Sequence, residues 1–128
     1  MAADTVLDAS AVLADIYGET GGDVARAALD DGRFSAVNLA EVVTKLIDDG
    51  LPANEVDFIA RRLSCTVEPA DRDRAVLSGL LQQQTRGSGI SLGDRFCLAL
   101  ARELGLPVLT ADRRWAEFEL GVEVRLIR

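Results

Sequence analysis

Apolar positions along this chain alternate between two spacings: short β-type runs, and longer stretches whose apolar residues fall three and four apart. Thr5 to Leu7 reads as a short strand ending at Asp8. Ser10 to Tyr17 reads as a helix with Ser10 as capping candidate, closed by Gly18. Val24 to Leu29 is helical, the Asp31-Gly32 pair is a turn signal, and Arg33 to Ala36 is a strand candidate. Asn38 then caps a helix with Leu39, Val42, Val43, Leu46 and Ile47 on one face, and Gly50 closes it. Pro52 opens a helix through Arg62, and Cys65 to Glu68 has β character. Ala70 to Thr85 reads as one long helix carrying Ala75, Leu77, Leu80 and Leu81. After the Gly87-Ser88-Gly89 break, Ser91 opens a helix to Leu104. Pro107 to Leu109 is a buried strand candidate, Asp112 to Phe118 a short helix, and Val122 to Ile127 a last strand.

Strands that alternate with helices predict a three-layer α/β/α domain with a mainly parallel central sheet. No linker or internal repeat divides the chain, so residues 1–128 are expected to form one domain. In such sheets ligands bind beyond the carboxyl ends of the strands. Four acids are placed for that edge. Asp8 and Asp112 follow candidate strands, and Glu41 and Asp94 fall in the first turns of helices.

Composition narrows the chemistry. The net charge of −7 excludes a global positive field that would draw in nucleic acid, so an anionic partner would need local arginines or a bound cation. Histidine is absent, which removes imidazole as a general base. Cys65 and Cys97 form no CxxC unit, and without histidine a zinc site is not expected. No run is long and apolar enough to span a membrane, and the N-terminal segment lacks the pattern of an export signal. A reducing, cytoplasmic setting is therefore the expectation.

Carboxylates gather only where something positive holds them, and a divalent cation is the usual agent. The competing account is local. Asn38-x-x-Glu41 and Ser91-x-x-Asp94 both have capping-box spacing, Asp112 can cap the last helix, and Asp8 can support the cap at Ser10. An acid at a helix N-terminus gains roughly 0.3–1 kcal/mol from the macrodipole, so spacing alone leaves both accounts open.

The sequences around the acids resemble one family. VLDASAVLA (6–14), NLAEVVTKL (38–46), SLGDRFCLALA (91–101) and LTADRRW (109–115) are similar, in order, to the four acidic motifs of the PIN-domain ribonucleases, in particular the VapC-like toxins of type II toxin–antitoxin modules. The resemblance covers nearly the whole chain. It implies a PIN-like fold and metal-dependent endonucleolytic cleavage of RNA. Asp8, Glu41, Asp94 and Asp112 match the catalytic acids, with Asp8 and Asp94 as metal ligands for Mg²⁺ or Mn²⁺. Ser10, Ser91 and Thr110 match hydroxyl positions beside them. The residue types suit that reaction, because a cation lowers the pKa of its bound water and neutralises charge on the phosphate.

Other residues have weaker signals. Lys45, the only lysine, stands four residues after Glu41; an ordinary i,i+4 ion pair is the simplest account, and orienting Glu41 or the scissile phosphate the functional one. Arg95, Arg113 and Arg114 flank the acids and could hold RNA phosphates or be surface charges. Trp115 reads as core. The family implies a homodimer held inactive by a small antitoxin protein, and no membrane partner. Two alternatives remain: a non-enzymatic interaction module whose acids only cap helices, and a receiver-like phosphoacceptor. The latter would want an adjacent acidic pair near the first strand and a lysine after a late strand, and neither is present.

Overall fold

A computed structural model of the protein describes residues 4–128. The β-type runs form five strands: β1 Thr5–Leu7, β2 Gly32–Ser35, β3 Thr66–Glu68, β4 Val108–Thr110 and β5 Val124–Leu126. They make one sheet of order β3-β2-β1-β4-β5, with every pairing parallel. Parallel neighbours need crossover connections, and the helical stretches supply them. These are α1 Ala9–Tyr17, α2 Gly22–Ala28, α3 Ala36–Asp48, α4 Ala53–Arg61, α5 Arg72–Leu80, α6 Gln82–Thr85 and α7 Leu92–Leu104, with a 3-10 helix at Arg113–Glu117.

Strand periodicity divides the core in two. Leu7 and Leu109 point into one cluster, with Ala11, Val12, Ala25, Phe34, Val42, Leu46 and Val56 from β2 and helices α1 to α4. Their neighbours Val6 and Val108 point into the other, with Leu81, Cys97, Leu98, Ala101 and Trp115. Both faces of the sheet are therefore covered, as an all-parallel sheet requires, and the expected three-layer α/β/α architecture is present. Cys65 and Cys97 are free and buried, and Trp115 lies in the core. Among the described residues no helix is long and apolar enough to cross a membrane.

Several local expectations change. Ser10 is not a cap: α1 begins one residue earlier, with Asp8 at the N-cap position and its side chain capping nothing. Asn38 is not a cap either. The chain enters α3 directly from β2, so Ser35 caps it by accepting from the Val37 N–H at 3.2 Å, and Asn38 sits inside the first turn, fully buried. The long helix expected over 70–85 is interrupted at Leu81, shortly after the poor helix former Gly79. Only Leu81 of its apolar set enters the core; Leu77 and Leu80 are exposed.

α1 and α2 pack closely through Gly22. A Cβ there would overlap the Ala14 carbonyl, which is backbone and cannot swing aside. Gly22→Ala is therefore expected to destabilise by about 1–3 kcal/mol despite alanine's better helix propensity. Chemical denaturation of the two proteins decides the point, and an equally stable or more stable variant would refute the close-packing account.

Candidate active site

The strand order reverses between β1 and β4, and in such sheets a crevice opens at that point beyond the strand ends. Asp8 follows β1 and Thr110 ends β4. The Asp8 N–H donates to Leu109 O at 3.0 Å, which continues the ladder and brings their side chains together. Thr110 Oγ1 donates to Asp8 Oδ2 at 2.7 Å, and Ser10 Oγ donates to the same oxygen at 2.5 Å. Ser10 Oγ also accepts from the Ala111 N–H at 3.0 Å, so the two hydroxyls lace β1 to β4 around one carboxylate. Asp8 is 4% exposed. Burial pushes its carboxyl up to about 6, the Asp94 charge adds to the rise, and the two hydroxyl donors oppose it.

Glu41 projects from the second turn of α3 and is half-buried. Asn38 Nδ2 donates to its Oε1 at 2.7 Å and to Gly93 O at 3.0 Å, joining α3 to the start of α7. Burial raises the Glu41 carboxyl above its ordinary range; Asn38 opposes this, and Asp94 again adds to the rise. Asp94 and Ser91 form a full capping box at the start of α7. The Asp94 N–H donates to Ser91 Oγ at 3.1 Å, and the Ser91 N–H donates to Asp94 Oδ2 at 3.0 Å.

One arrangement recurs in these three acids. Among the hydrogen bonds of the described residues, Asp8 is held through Oδ2, Glu41 through Oε1 and Asp94 through Oδ2; no side chain donates to the second oxygen of any of them. Asp94 is close enough for its charge to raise both of the others. Asp112 behaves differently. It caps the 3-10 helix by accepting from the Arg114 N–H at 3.0 Å, and the Arg114 guanidinium takes both its oxygens, at 3.0 and 2.6 Å. That pairing holds its carboxyl below the usual range. The sequence placed four acids at one edge; the structure draws three into electrostatic contact and neutralises the fourth locally.

Capping explains only part of this set. Asp94 and Asp112 do cap helices, but Asp8 caps nothing and Glu41 is met by a side chain rather than by a free backbone N–H. The expected Glu41–Lys45 pair is absent: Lys45 Nζ is 3.1 Å from Asp49, which stands a turn further along and away from the half-buried Glu41. Arg113 is exposed, Arg95 reaches Gln82, and Arg114 lies beside Gly89 of the 86–89 loop. The residues missed in the sequence are Asn38 as a partner of Glu41, and Gly93, where a Cβ would overlap the Glu41 carboxylate.

The donor set suits a hard divalent cation, since it is all oxygen, and ionising its like-charged members in close quarters is costly without one. Among the described residues no group of three acids or thiols is arranged to hold a metal ion. Mg²⁺ needs none, because it keeps several waters and takes one or two carboxylates.

The chain is similar to known proteins in sequence and in fold. In sequence, the chain is 32% identical over 114 residues to VapC ribonuclease Mb2780c of Mycobacterium bovis, covering 81% of this chain and 87% of that protein. Ribonuclease VapC42 of Mycobacterium tuberculosis matches to the same extent. In structure, it is similar to the DNA-bound VapBC of Salmonella typhimurium, with TM-score 0.76, 16% identity and coverage of 99% and 100% of the two chains. VapC20 of Mycobacterium tuberculosis, described as a Sarcin-Ricin loop cleaving toxin, gives TM-score 0.70 at 17% identity, covering 93% and 98%. At those identities the structural likeness speaks to the fold. The PIN domain profile matches residues 5–120, and with the sequence relatives it establishes that this chain belongs to the PIN domain family.

Proposed function

We propose that this protein is a metal-dependent endoribonuclease and the toxin of a toxin–antitoxin pair. The observation that carries the reading is the trio Asp8, Glu41 and Asp94, each held through one oxygen with no side chain donating to the other, with Asp8 at the sheet's switch point and the Asp94 charge felt by both of its neighbours. The ribonuclease names of the relatives at 32% identity support the substrate class.

Asp8 and Asp94 would hold Mg²⁺ or Mn²⁺, which would activate water and neutralise charge on the scissile phosphate. Ser10 and Thr110 keep the Asp8 carboxylate aimed by occupying its Oδ2. Ser91 does the same for Asp94 through its backbone N–H. Glu41, half-buried and with Oε2 uncommitted, is the chain's own candidate proton acceptor in the absence of histidine. Arg113, which is exposed, would be available to RNA phosphates, Arg114 would reach them by leaving Asp112, and Arg95 would first release Gln82. The net charge of −7 makes those local cations and the metal necessary for binding an anion. The same reading includes a small antitoxin partner, a homodimer and action in the cytoplasm. Solved complexes of similar fold are toxin–antitoxin assemblies, and both thiols are free.

The test is RNA cleavage with Mg²⁺, with Mn²⁺ and with EDTA. EDTA is expected to abolish cleavage and either cation to restore it; cleavage unchanged in EDTA would refute the mechanism. Cation binding also requires an ionised Asp8. Since Asp8 titrates at about 6 in the folded protein, Mn²⁺ affinity should be nearly flat above pH 7 and fall about tenfold per pH unit well below 6. Calorimetric titrations between pH 5 and pH 8 measure this, and a pH-independent affinity would remove Asp8 from the ligand set. An interaction module with capping acids would show no Mn²⁺ binding at any pH.

A further inference from the structure

Asn38 is fully buried, yet it satisfies only half of its amide. Its Nδ2 faces two acceptors, Glu41 Oε1 at 2.7 Å and Gly93 O at 3.0 Å. The reverse orientation would set a carbonyl oxygen against two other oxygens, so the amide can sit only this way. The consequence is an Oδ1 that is buried with no hydrogen-bond partner. A buried carbonyl left unpaired costs stability, and an apolar side chain of the same shape would avoid that cost. The fold thus keeps a polar residue where packing alone would favour leucine. What the residue supplies in return is an amide nitrogen that holds the Glu41 carboxylate and, through the Gly93 carbonyl, ties it to the start of α7.

Gly93 supports the same carboxylate from the other side. It is the second residue of α7 and has no positive φ that would call for glycine. A Cβ there would overlap Oε1, Oε2 and the carboxyl carbon of Glu41. The Glu41 carboxylate therefore lies directly on the α7 backbone, in space that only glycine leaves open.

We propose that Asn38 is a positioning residue for Glu41, and that Asn38 and Gly93 together form a socket that fixes the Glu41 carboxylate, with Oε1 held by the amide and Oε2 left without a side-chain donor. This rests on the reading of Asp8, Glu41 and Asp94 as a cation-dependent cleavage site. The socket explains how a flexible glutamate on α3 is held against the start of α7, the helix that carries Asp94. Without it Glu41 can swing to solvent, and its place beside Asp94 is lost to rotamer freedom.

The test uses the full chain, with Asn38→Leu and Gly93→Ala as independent variants, each alone and combined with Glu41→Ala. Mn²⁺ affinity is read by calorimetry, cleavage kinetics with an RNA substrate, and thermal midpoints in EDTA. Each single variant is expected to lose about 10–100-fold in Mn²⁺ affinity or kcat, with KM for RNA little changed. Thermal midpoints should stay within about 4 °C of the parent. Gly93→Ala keeps the fold because the clash it makes is with the far end of a side chain that can move. In the Glu41→Ala background neither change should cost more than Glu41→Ala alone, since nothing is left to position. A merely structural Asn38 would lower the thermal midpoint, and its losses would multiply with those of Glu41→Ala. That pattern, or parent-like affinity and turnover in either single variant, overturns the inference. If the parent itself binds no Mn²⁺, the cation-site reading fails and the inference fails with it; Mn²⁺ binding by the parent with indifferent single variants overturns the socket alone.

Discussion

Asp8→Asn is expected to remove nearly all cleavage while making the metal-free protein more stable at neutral pH. Asp8 is buried, and its folded-state value of about 6 lies above the 3.8 of an ordinary aspartate. For an acid shifted in this direction the native state binds more protons than the unfolded state between those values. Its stabilising effect is thus fully present below about pH 4 and is lost as pH rises through about 6. A shift of about two pH units corresponds to about 3 kcal/mol, which the ionised native protein forgoes at pH 7.5. Asparagine fits the same place. Ser10 and Thr110 both donate to Oδ2, so the amide oxygen can take that position and the NH₂ the one to which no side chain donates. In EDTA, Asp8→Asn should gain about 1–3 kcal/mol at pH 7.5 and lose the parent's decline in stability between pH 4 and pH 6. Denaturant titrations across that range, paired with a cleavage assay, test both halves. A variant that is active, or one less stable than the parent at pH 7.5, would overturn the assignment.

Asp94→Asn should lose activity as completely but move stability the other way. Asp94 is half-buried, and its Oδ2 closes the capping box with the Ser91 N–H. Neutralising it removes a favourable charge at a helix N-terminus, while asparagine keeps part of the cap. The metal-free variant is expected to be about 0.3–1 kcal/mol less stable than the parent, since the repulsion it relieves at Asp8 and Glu41 is among the lesser influences on those acids. Cation binding changes the comparison. A ligand that binds only the folded state adds about 2.7 kcal/mol at a hundred times its dissociation constant. Mn²⁺ should therefore raise the thermal midpoint of the parent and leave that of Asp94→Asn almost unmoved. Equal shifts in the two proteins would place the cation elsewhere. Together the two substitutions separate the acid that strains the fold from the acid that supports it.

The difference between those two acids could not be read along the chain. Both follow or open an apolar run, and both stand near a hydroxyl residue. Only the pairing of β1 with β4 brings Thr110 to Asp8 across 102 positions and leaves that carboxylate buried. Ser91 and Asp94, three apart at a helix start, interact locally, and their capping box was legible from spacing. Asn38-x-x-Glu41 has the same spacing and a different outcome. The chain turns into α3 at Ser35 with no intervening loop, so Asn38 is carried inside and meets Gly93 instead.

The strand and helix pattern, the three-layer class and the four acids at one edge all follow from the sequence, because they depend on periodicities of two and 3.6 and on helix-start chemistry, which act over a few residues. Periodicity does not say what lies opposite a face. Leu77 and Leu80 fit an amphipathic stripe and are exposed, while Leu81, beside them, is buried. Nor does it say which charges will meet: Lys45 pairs with Asp49 rather than Glu41, and Arg114 folds back on Asp112. Those two pairings are local choices among neighbours, four and two residues apart; tertiary structure decided which faces are covered and how Asp8 and Glu41 are held, because hydrogen-bond partners at long sequence separation are set by strand order and helix packing rather than by any local preference.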